Sequence, residues 1–513
     1  MKKKIEQQAI FCLFFILLGV FARVFLFAQN FDLTPDDASL SASIWQTNFS
    51  DIFAGLLPFN QNAPLGFLLS VKILAHIFDS SELILRLIPF IAGVLLLPLA
   101  YKFAVKEFNE KFACVFLFFI VCSDPLLFYS IQFKQYTVEA FIALFLIYKR
   151  ENCTSWRFIL LAIVSILFSS TAPLILASIY ITHIIFAPKI WQSMLLKLLV
   201  LASFSGFYYF LWLNQLGGKS FMQNFWGAFW FPNLNFIQFI GRHFINFTPH
   251  ITQHDPFVYL YAALTIILTL FGFYFLLKEN KKLGVIILLT LFLVLLLYFL
   301  KIYPLGMPLD PILNQTENFA MAQVVGSRLI VYFIPIISIA IAFSLYKILN
   351  ALNSKFVLFI LLAVLSLSPN ISRMQMGLGI AEYSTLLEKI KPYTTSETPI
   401  LVSAFNSVLH LYYQRKNLQN DYFSMHYHVG QIVYVNPSQS TSDGYLFFPQ
   451  INNFHDLFSA LKSLDVNRAI FLFANYDHYQ TQAFKFLPDY LKENNHTWLM
   501  IPTKNAAAVI VDF

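Results

Sequence analysis

Residues 30–40 read NFDLTPDDASL and follow directly on an apolar run from Ala9 to Ala28. A run of this length can cross a bilayer as a helix, which needs about 20 residues. Asp36 and Asp37 then stand side by side behind Pro35. The stretch predicts a membrane helix whose outer end leads into a loop that carries a pair of carboxylates.

The apolar run from Ala9 to Ala28 could be either a cleaved signal sequence or a retained membrane helix. Lys2, Lys3 and Lys4 give it the basic flank of a signal sequence. The run is nevertheless long enough to span, and residues 27–30, FAQN, make an imperfect cleavage site. We therefore interpret the run as a retained first helix.

The composition extends this interpretation to the whole chain. Of the 513 residues, 58% are hydrophobic and 12% are charged, and the mean hydropathy is +0.65. A soluble core of this size could not hide so much apolar surface. The 59 Phe residues fit lipid-facing helices, although a compositional bias would give the same count. The chain is predicted to be an α-helical multi-pass membrane protein, with membrane lipid and no nucleic acid among its partners.

The four cysteines carry no separate signal. Cys12, Cys114, Cys122 and Cys153 all lie in or beside apolar runs. Their placement indicates neither a disulfide framework nor a cysteine-based zinc site.

Apolar runs recur along the first 369 residues and predict about eleven transmembrane helices. These helices are predicted at residues 8–28, 84–105, 111–128, 136–148, 157–171, 173–187, 194–213, 257–277, 283–300, 328–348 and 356–368. With the N-terminus in the cytoplasm, the inner connections carry twice as many Lys and Arg residues as the outer ones, as the positive-inside rule requires. An odd number of helices then leaves the C-terminus outside.

Beyond Pro369 the sequence changes character. Short apolar runs such as 399–403, 468–474 and 508–511 alternate with helix-like stretches. This pattern is typical of a small α/β domain. The chain is therefore predicted to have a transmembrane domain at residues 1–369 and an extracytoplasmic α/β soluble domain at residues 370–513.

Six motifs together resemble the GT-C superfamily of polyprenyl-phosphate-sugar glycosyltransferases. They are the acidic pair after the first helix, NAPLGFLL at 62–69, SELILRLIP at 81–89, FYSIQFKQY at 128–136, and YPLG at 303–306 with GSRLIVYFIP at 326–335. Within the superfamily, the chain is similar to bacterial relatives of the protein O-mannosyltransferases and to the lipid A aminoarabinose transferase. The resemblance covers mainly residues 8–150, and the C-terminal domain has no likeness of this kind.

The resemblance implies an inverting transfer of one sugar from a polyprenyl-phosphate-linked donor to a glycan, lipid or protein acceptor. The reaction would take place at the outer face of the bacterial cytoplasmic (inner) membrane, with the C-terminal domain in the periplasm. Asp36 takes the first acidic position of the family. Asp37 stands where the family usually has Glu, and is one methylene shorter.

The chemistry of the residues agrees with this implication. Glycosyl transfer with inversion needs a base to take the acceptor proton and groups that stabilise the departing phosphate. Asp36 and Asp37 are the candidate catalytic residues. Their alternative roles are a solvated turn after Pro35, or an N-cap for a helix that begins at Ala38.

Lys134, Arg328 and Tyr136 are the candidates for binding the donor phosphate. Lys134 replaces an Arg that is frequent in the family, and its alternative role is interfacial snorkelling. Arg328 opens a long apolar run, so simple anchoring is its alternative. The supporting candidates come from the same motifs. Arg86 is expected to pair with an outer-loop acid. Glu139 is expected either to pair with Lys134 or to cap a helix. Gln132 and Tyr303 complete the set.

Metal binding and transport are the competing interpretations. His250 and His254 are four residues apart, and His426 and His428 would share one face of a strand, but neither pair has an evident third ligand. The sequence identifies no certain cofactor, and a requirement for a divalent cation is left open. A transporter, or another enzyme of lipid-linked glycan processing, is the alternative function, although the polar residues concentrate in the outer loops rather than at the midplane.

Overall fold

The computed structural model describes residues 2–58, 61–213, 258–302, 328–352, 382–395, 398–403, 412–413, 422–426, 431–435, 445–447, 458–459, 461–462, 467–474, 487–503 and 506–512. The chain divides into two compact units. The membrane unit comprises Met1–Asn30 and Ser43–Leu378, and the C-terminal unit comprises Phe31–Ala42 and Gly379–Phe513. The predicted boundary between residues 369 and 370 lies outside the described residues and stays a prediction.

Most of the long described helices coincide with apolar runs of the sequence, and shorter helices lie between them. They are α1 (Lys2–Ala28), α2 (Pro35–Trp45), α3 (Phe49–Phe53), α4 (Leu65–Ile77), α5 (Glu82–Glu107), α6 (Glu110–Cys122), α7 (Asp124–Tyr129), α8 (Tyr136–Lys149), α9 (Trp156–Phe168), α10 (Ala172–Phe186), α11 (Trp191–Tyr208), α12 (Val258–Glu279), α13 (Lys281–Phe299), α14 (Ile334–Leu352) and α15 (Tyr383–Ile390).

Within the described residues, five helical segments are long and apolar enough to cross a bilayer, so the chain is a membrane protein. They are Gln8–Ala28, Glu82–Glu107, Pro188–Trp212, Lys281–Phe299 and Arg328–Ala351, and shorter apolar helices lie at Leu65–Ile77, Trp156–Phe168 and Ala172–Phe186. The predicted run at residues 356–368 lies outside the described residues. The count of eleven helices therefore stays a prediction.

The single helix predicted at residues 111–128 is wrong. Helix α6 ends at Cys122, and the short helix α7 begins at Asp124. Pro125 is the physical reason, because it lacks the backbone N–H that would bond to the carbonyl of Val121, and its ring would clash with that carbonyl. Ser123 has extended backbone geometry at the break.

The helices of the membrane unit pack through apolar faces. Helix α1 packs against α5 and α6, while α12 packs against α14. The outer side of α1 leaves large apolar side chains exposed, as a lipid-facing helix does, namely Ile10, Phe11, Leu13, Phe14, Leu17 and Phe21. The buried Arg150 guanidinium contacts both carboxylate oxygens of Glu107, at 2.9 and 2.5 Å, and Asn280 donates to the same carboxylate at 3.1 Å.

The C-terminal unit contains a seven-stranded mixed sheet. Its strands are β1 (Ile400–Ser403), β2 (Tyr422–His426), β3 (Gln431–Val435), β4 (Tyr445–Phe447), β5 (Arg468–Ala474), β6 (Thr497–Thr503) and β7 (Ala506–Asp512), in the order β4-β3-β2-β1-β5-β7-β6. Strand β1 pairs in parallel with β2 and β5, and the other pairs are antiparallel. The α/β class of the whole C-terminal part stays a prediction, because much of residues 404–466 lies outside the described residues.

Helix α15 packs on this sheet against β6 and β7. The face toward the sheet buries Tyr383, Leu386, Leu387 and Ile390. Two hydrogen bonds join the helix to β6: Lys389 Nζ donates to the carbonyl oxygen of Pro502, and Thr503 Oγ1 donates to that of Glu382, both at 3.3 Å. The helix is therefore held on the sheet by apolar and polar contacts together.

Candidate functional site

The acidic pair lies in the first turn of helix α2. Thr34 caps this helix, because its Oγ1 accepts a hydrogen bond from Asp37 N at 3.1 Å. Pro35 is the first helical residue, where its missing N–H costs nothing. Carboxylates near a helix N-terminus are stabilised by the helix dipole. The alternative in which an aspartate caps a helix beginning at Ala38 is therefore wrong, since the helix begins earlier and Thr34 is its cap.

The surroundings of the two aspartates differ from those of a solvated turn. Asp37 is 1% exposed and Asp36 is half-buried. A buried carboxylate loses hydration that only hydrogen bonds or charges can replace. Both residues belong to Phe31–Ala42, the segment that groups with the C-terminal unit. Their catalytic role stays a prediction.

Asp32, just ahead of the acidic pair, contacts the start of helix α15. Its two carboxylate oxygens accept hydrogen bonds from Ser384 N and Ser384 Oγ, each at 2.7 Å. The neighbouring Leu33 N donates to the hydroxyl of Tyr413 at 2.8 Å. Sequence reasoning missed Asp32, because its partners lie about 350 residues further along the chain.

The turn between α7 and α8 buries polar side chains in the membrane unit. Lys134 is 6% exposed, and its Nζ donates to Gln61 Oε1 at 3.1 Å. Among the described residues, Gln132 is buried with both polar side-chain atoms lacking a hydrogen-bond partner. The Tyr136 ring packs edge-on against Tyr129 at 4.9 Å between centroids. Three of the predicted site residues thus lie buried here, Gln132 and Lys134 in the turn and Tyr136 at the start of α8.

Arg328 and Arg86 belong to the same membrane unit. Arg328 opens a 3-10 turn, Arg328–Phe333, which packs against α7 and α8. Arg86 is buried on α5, a helix that also packs against α8. Its predicted pairing with an outer-loop acid stays a prediction. Tyr303 lies outside the described residues.

Glu139 has a different partner from the one first considered. Its Oε1 accepts hydrogen bonds from Ser170 N at 3.1 Å and from Ser170 Oγ at 2.8 Å. Ser170 stands in the turn that precedes helix α10. Glu139 therefore stabilises the start of α10, and the alternative of a helix cap describes it better than a pairing with Lys134.

Arg23 is a buried cation on helix α1. The side chain is 0% exposed, and its Nη1 donates to Gly19 O at 3.0 Å. Among the described residues, its Nε and Nη2 find no hydrogen-bond partner. Gly93 leaves room beside it, since a Cβ there would lie 2.5 Å from Ser130 Cβ and 3.3 Å from Arg23 Nε. A charged residue near the end of the first apolar run was the available signal.

The described residues hold no cluster of three or more His, Cys, Asp or Glu side chains that could bind a metal ion. His250, His254 and His428 lie outside them, and His426 is on β2. The question of a divalent cation therefore stays open.

Comparison with known proteins finds structural neighbours only. No family model matches the chain, and no curated protein matches it. ArnT from Cupriavidus metallidurans, in the apo state, is similar at 12% identity and a TM-score of 0.48, over 96% of this chain and 97% of that one. The Archaeoglobus fulgidus oligosaccharyltransferase, in complex with Zn and sulfate, is similar at 13% identity and a TM-score of 0.45, over 90% and 67%.

At identities of 12% and 13% and TM-scores below 0.5, these similarities assign no family, no site residue and no substrate to this chain.

Proposed function

We propose that the chain is an inverting glycosyltransferase. It moves a sugar from a polyprenyl-phosphate-linked donor to a glycan, lipid or protein acceptor at the outer face of the bacterial cytoplasmic membrane. The observation that carries the proposal is a set of buried polar and basic side chains, Gln132, Lys134 and Arg86, within an apolar helical unit. Such side chains are costly to bury and mark functional sites in membrane proteins.

The reaction explains why these residue types are needed. The bond between the sugar C1 and the donor phosphate oxygen breaks, and a bond between C1 and an acceptor oxygen or nitrogen forms. The acceptor proton goes to a carboxylate, and the polyprenyl phosphate leaves with one more negative charge. Cations in a water-poor site stabilise that charge more strongly than they would in water.

Asp36 is the proposed base, and Asp37 is the next candidate. Asp36 is half-buried at the start of α2, whereas Asp37 is almost fully buried. A base must reach both the acceptor and the solvent that finally takes the proton. The more exposed carboxylate fits that role better.

Replacement of Asp36 tests the proposal. Asp36→Asn keeps the size of the side chain but removes its charge and basicity, so we expect transfer to fall by about 10²-fold. The assay uses purified protein in nanodiscs, with undecaprenyl phosphate carrying glucose, mannose or aminoarabinose as the donor. The acceptor is the envelope fraction of a strain from which the gene for this protein has been deleted. Sugar transfer is measured by mass spectrometry.

The matched control is Asp79→Asn. Asp79 is exposed, and its Oδ1 accepts from Ser81 N at 2.9 Å, a hydrogen bond that asparagine can also accept. This variant should transfer like the parent. Normal transfer by a well-folded Asp36→Asn protein would move the base elsewhere. If no lipid-linked donor supports transfer by the parent, while the deletion strain has an unchanged envelope, the glycosyltransferase proposal is wrong.

A further inference from the structure

We propose that Asp32 is a positioning residue, through which the C-terminal unit sets the placement of the acidic pair. The inference rests on the proposed function, since it assigns a purpose to the C-terminal unit in that reaction. It follows from hydrogen bonds that all lie within one compact unit. That unit joins Phe31–Ala42 to residues 379–513.

The first step is the contact between Asp32 and helix α15. Both carboxylate oxygens accept from Ser384, one from the backbone N and one from Oγ, at 2.7 Å each. Hydrogen bonds to a charged acceptor are about twice as strong as neutral ones. A carboxylate at a helix N-terminus also interacts favourably with the helix dipole. One side chain thus makes two strong bonds that fix its own position.

A second contact holds the next residue of the segment. Leu33 N donates to the hydroxyl of Tyr413 at 2.8 Å, and the Tyr413 ring lies 6.3 Å from that of Tyr383, the first residue of α15. Leu33 itself is buried. The segment is therefore attached at two successive residues, through the side chain of Asp32 and the backbone N–H of Leu33.

Thr34 connects the attached residues to the aspartates. Thr34 follows Leu33 directly and caps helix α2, with Oγ1 accepting from Asp37 N and its carbonyl accepting from Ala38 N at 2.8 Å. No flexible residue separates the attached positions from the cap. A displacement of Asp32 would therefore move the first turn of α2, where Asp36 stands.

Helix α15, which holds Asp32, is itself held on the sheet of the C-terminal unit. Helix α15 buries an apolar face and bonds to β6 through Lys389 and Thr503. The helix is thus a rigid support rather than a loop. Catalytic groups held to within about 0.5 Å need supports of this kind, and a displacement of about 1 Å can lower a rate by about 10²-fold.

Four variants test the inference. Asp32→Ala removes both bonds to Ser384, Ser384→Ala removes only the Oγ bond, and Tyr413→Phe removes the bond to Leu33 N but keeps the ring. We expect kcat to fall by about 10- to 100-fold in Asp32→Ala and less in the other two, with the donor KM changed little. Because Ser384 acts through Asp32, adding Ser384→Ala to Asp32→Ala should cause little further loss.

Ser155→Ala is the matched control. Ser155 Oγ also serves a helix start, accepting from Phe158 N at 3.2 Å, but in the membrane unit. Its kcat should stay near that of the parent. An equal loss in this control would mean that any weakened helix start lowers transfer, and that outcome would overturn the inference. If the losses of kcat in the two single variants multiply in the double variant that combines Asp32→Ala with Ser384→Ala, the inference is overturned as well.

Hydrogen–deuterium exchange provides a measurement that does not depend on activity. In Asp32→Ala, amides of residues 31–42 and 383–390 should exchange at least several-fold faster than in the parent, while those of 82–107 stay unchanged. Unchanged exchange in both segments would refute the attachment even if transfer fell. If instead exchange rises but the parent transfers no sugar, the attachment stands and the proposed function fails.

Discussion

At the scale of single residues, the buried charges of the membrane unit serve two different purposes. Glu139 accepts two hydrogen bonds from Ser170 and stabilises the start of a helix. Lys134 donates to Gln61 from a turn with further buried polar side chains. Glu139 thus has a structural role, whereas a role of Lys134 in binding the donor phosphate stays a prediction.

A prediction about the donor phosphate follows for Lys134 and Arg328. If both bind it, Lys134→Ala and Arg328→Ala should each slow transfer. Lys134→Arg should preserve activity, because a guanidinium can also bind the phosphate. Arg328→Lys should cost about 1–3 kcal/mol of transition-state stabilisation, because a single ammonium cannot form the paired contacts of a guanidinium.

The measurement compares purified variants at matched protein levels in nanodiscs. Lys102→Ala is the control, since Lys102 is an exposed lysine on α5. Simple snorkelling predicts no difference between the conservative swaps. If both alanine variants transfer as well as the parent, these residues are membrane anchors and the phosphate site lies elsewhere.

At the scale of elements, small residues decide how closely helices approach. Gly272 on α12 faces the backbone of Ala340 on α14, where an added Cβ would lie 2.0 Å from the carbonyl oxygen. Association of helices in lipid depends on such close packing, because the lipid chains are as apolar as the helices. The contact between α12 and α14 therefore requires glycine at position 272.

Gly272→Ala is predicted to destabilise the protein. The backbone of Ala340 cannot yield as a flexible side chain would, so α12 and α14 must separate, at a cost of about 1–3 kcal/mol. The measurement is thermal unfolding in detergent, where the transition should fall by several degrees. The comparison variant is Gly206→Ala on α11, whose added Cβ would meet no atom within 4 Å.

Gly206→Ala should be neutral or stabilising, by up to about 1 kcal/mol, because alanine loses less conformational freedom in a helix. Equal unfolding temperatures for the two variants would show that the contact between α12 and α14 contributes little.

At the scale of the whole molecule, membrane topology decides where the chemistry takes place. The charge asymmetry of the connections predicts an N-terminus in the cytoplasm and residues 370–513 in the periplasm. A polyprenyl-phosphate-linked sugar on the outer leaflet is accessible only from that side. The proposed function therefore requires this orientation.

Reporter fusions test the orientation. Alkaline phosphatase fused after Asp512 should be active, since it folds only outside the cytoplasm, and a fusion after Lys282 should be inactive. A fluorescent protein that folds only inside should give the opposite pattern. The same compartment for both positions would make the predicted topology wrong.

The sequence by itself determined the membrane class and the places of most helices. Backbone groups in lipid must be satisfied within the segment, so a long apolar run has almost no alternative to a helix. Local chemistry also indicated polar segments such as the aspartates after Pro35, whereas the helix break before Pro125 was missed. These features are set by residues that are close together in the sequence, and hydrophobic periodicity and turn residues directly reflect such local interactions.

Only the tertiary structure decided which side chains meet. Asp32 bonds to Ser384, Glu139 bonds to Ser170, and Gly272 meets Ala340. Each contact joins residues that lie far apart in the chain, and no local pattern encodes its partner. The grouping of Phe31–Ala42 with the C-terminal unit has the same origin. The type of a polar side chain determines which groups it can form hydrogen bonds with. The packing of hundreds of residues decides which of those groups lies within hydrogen-bonding distance.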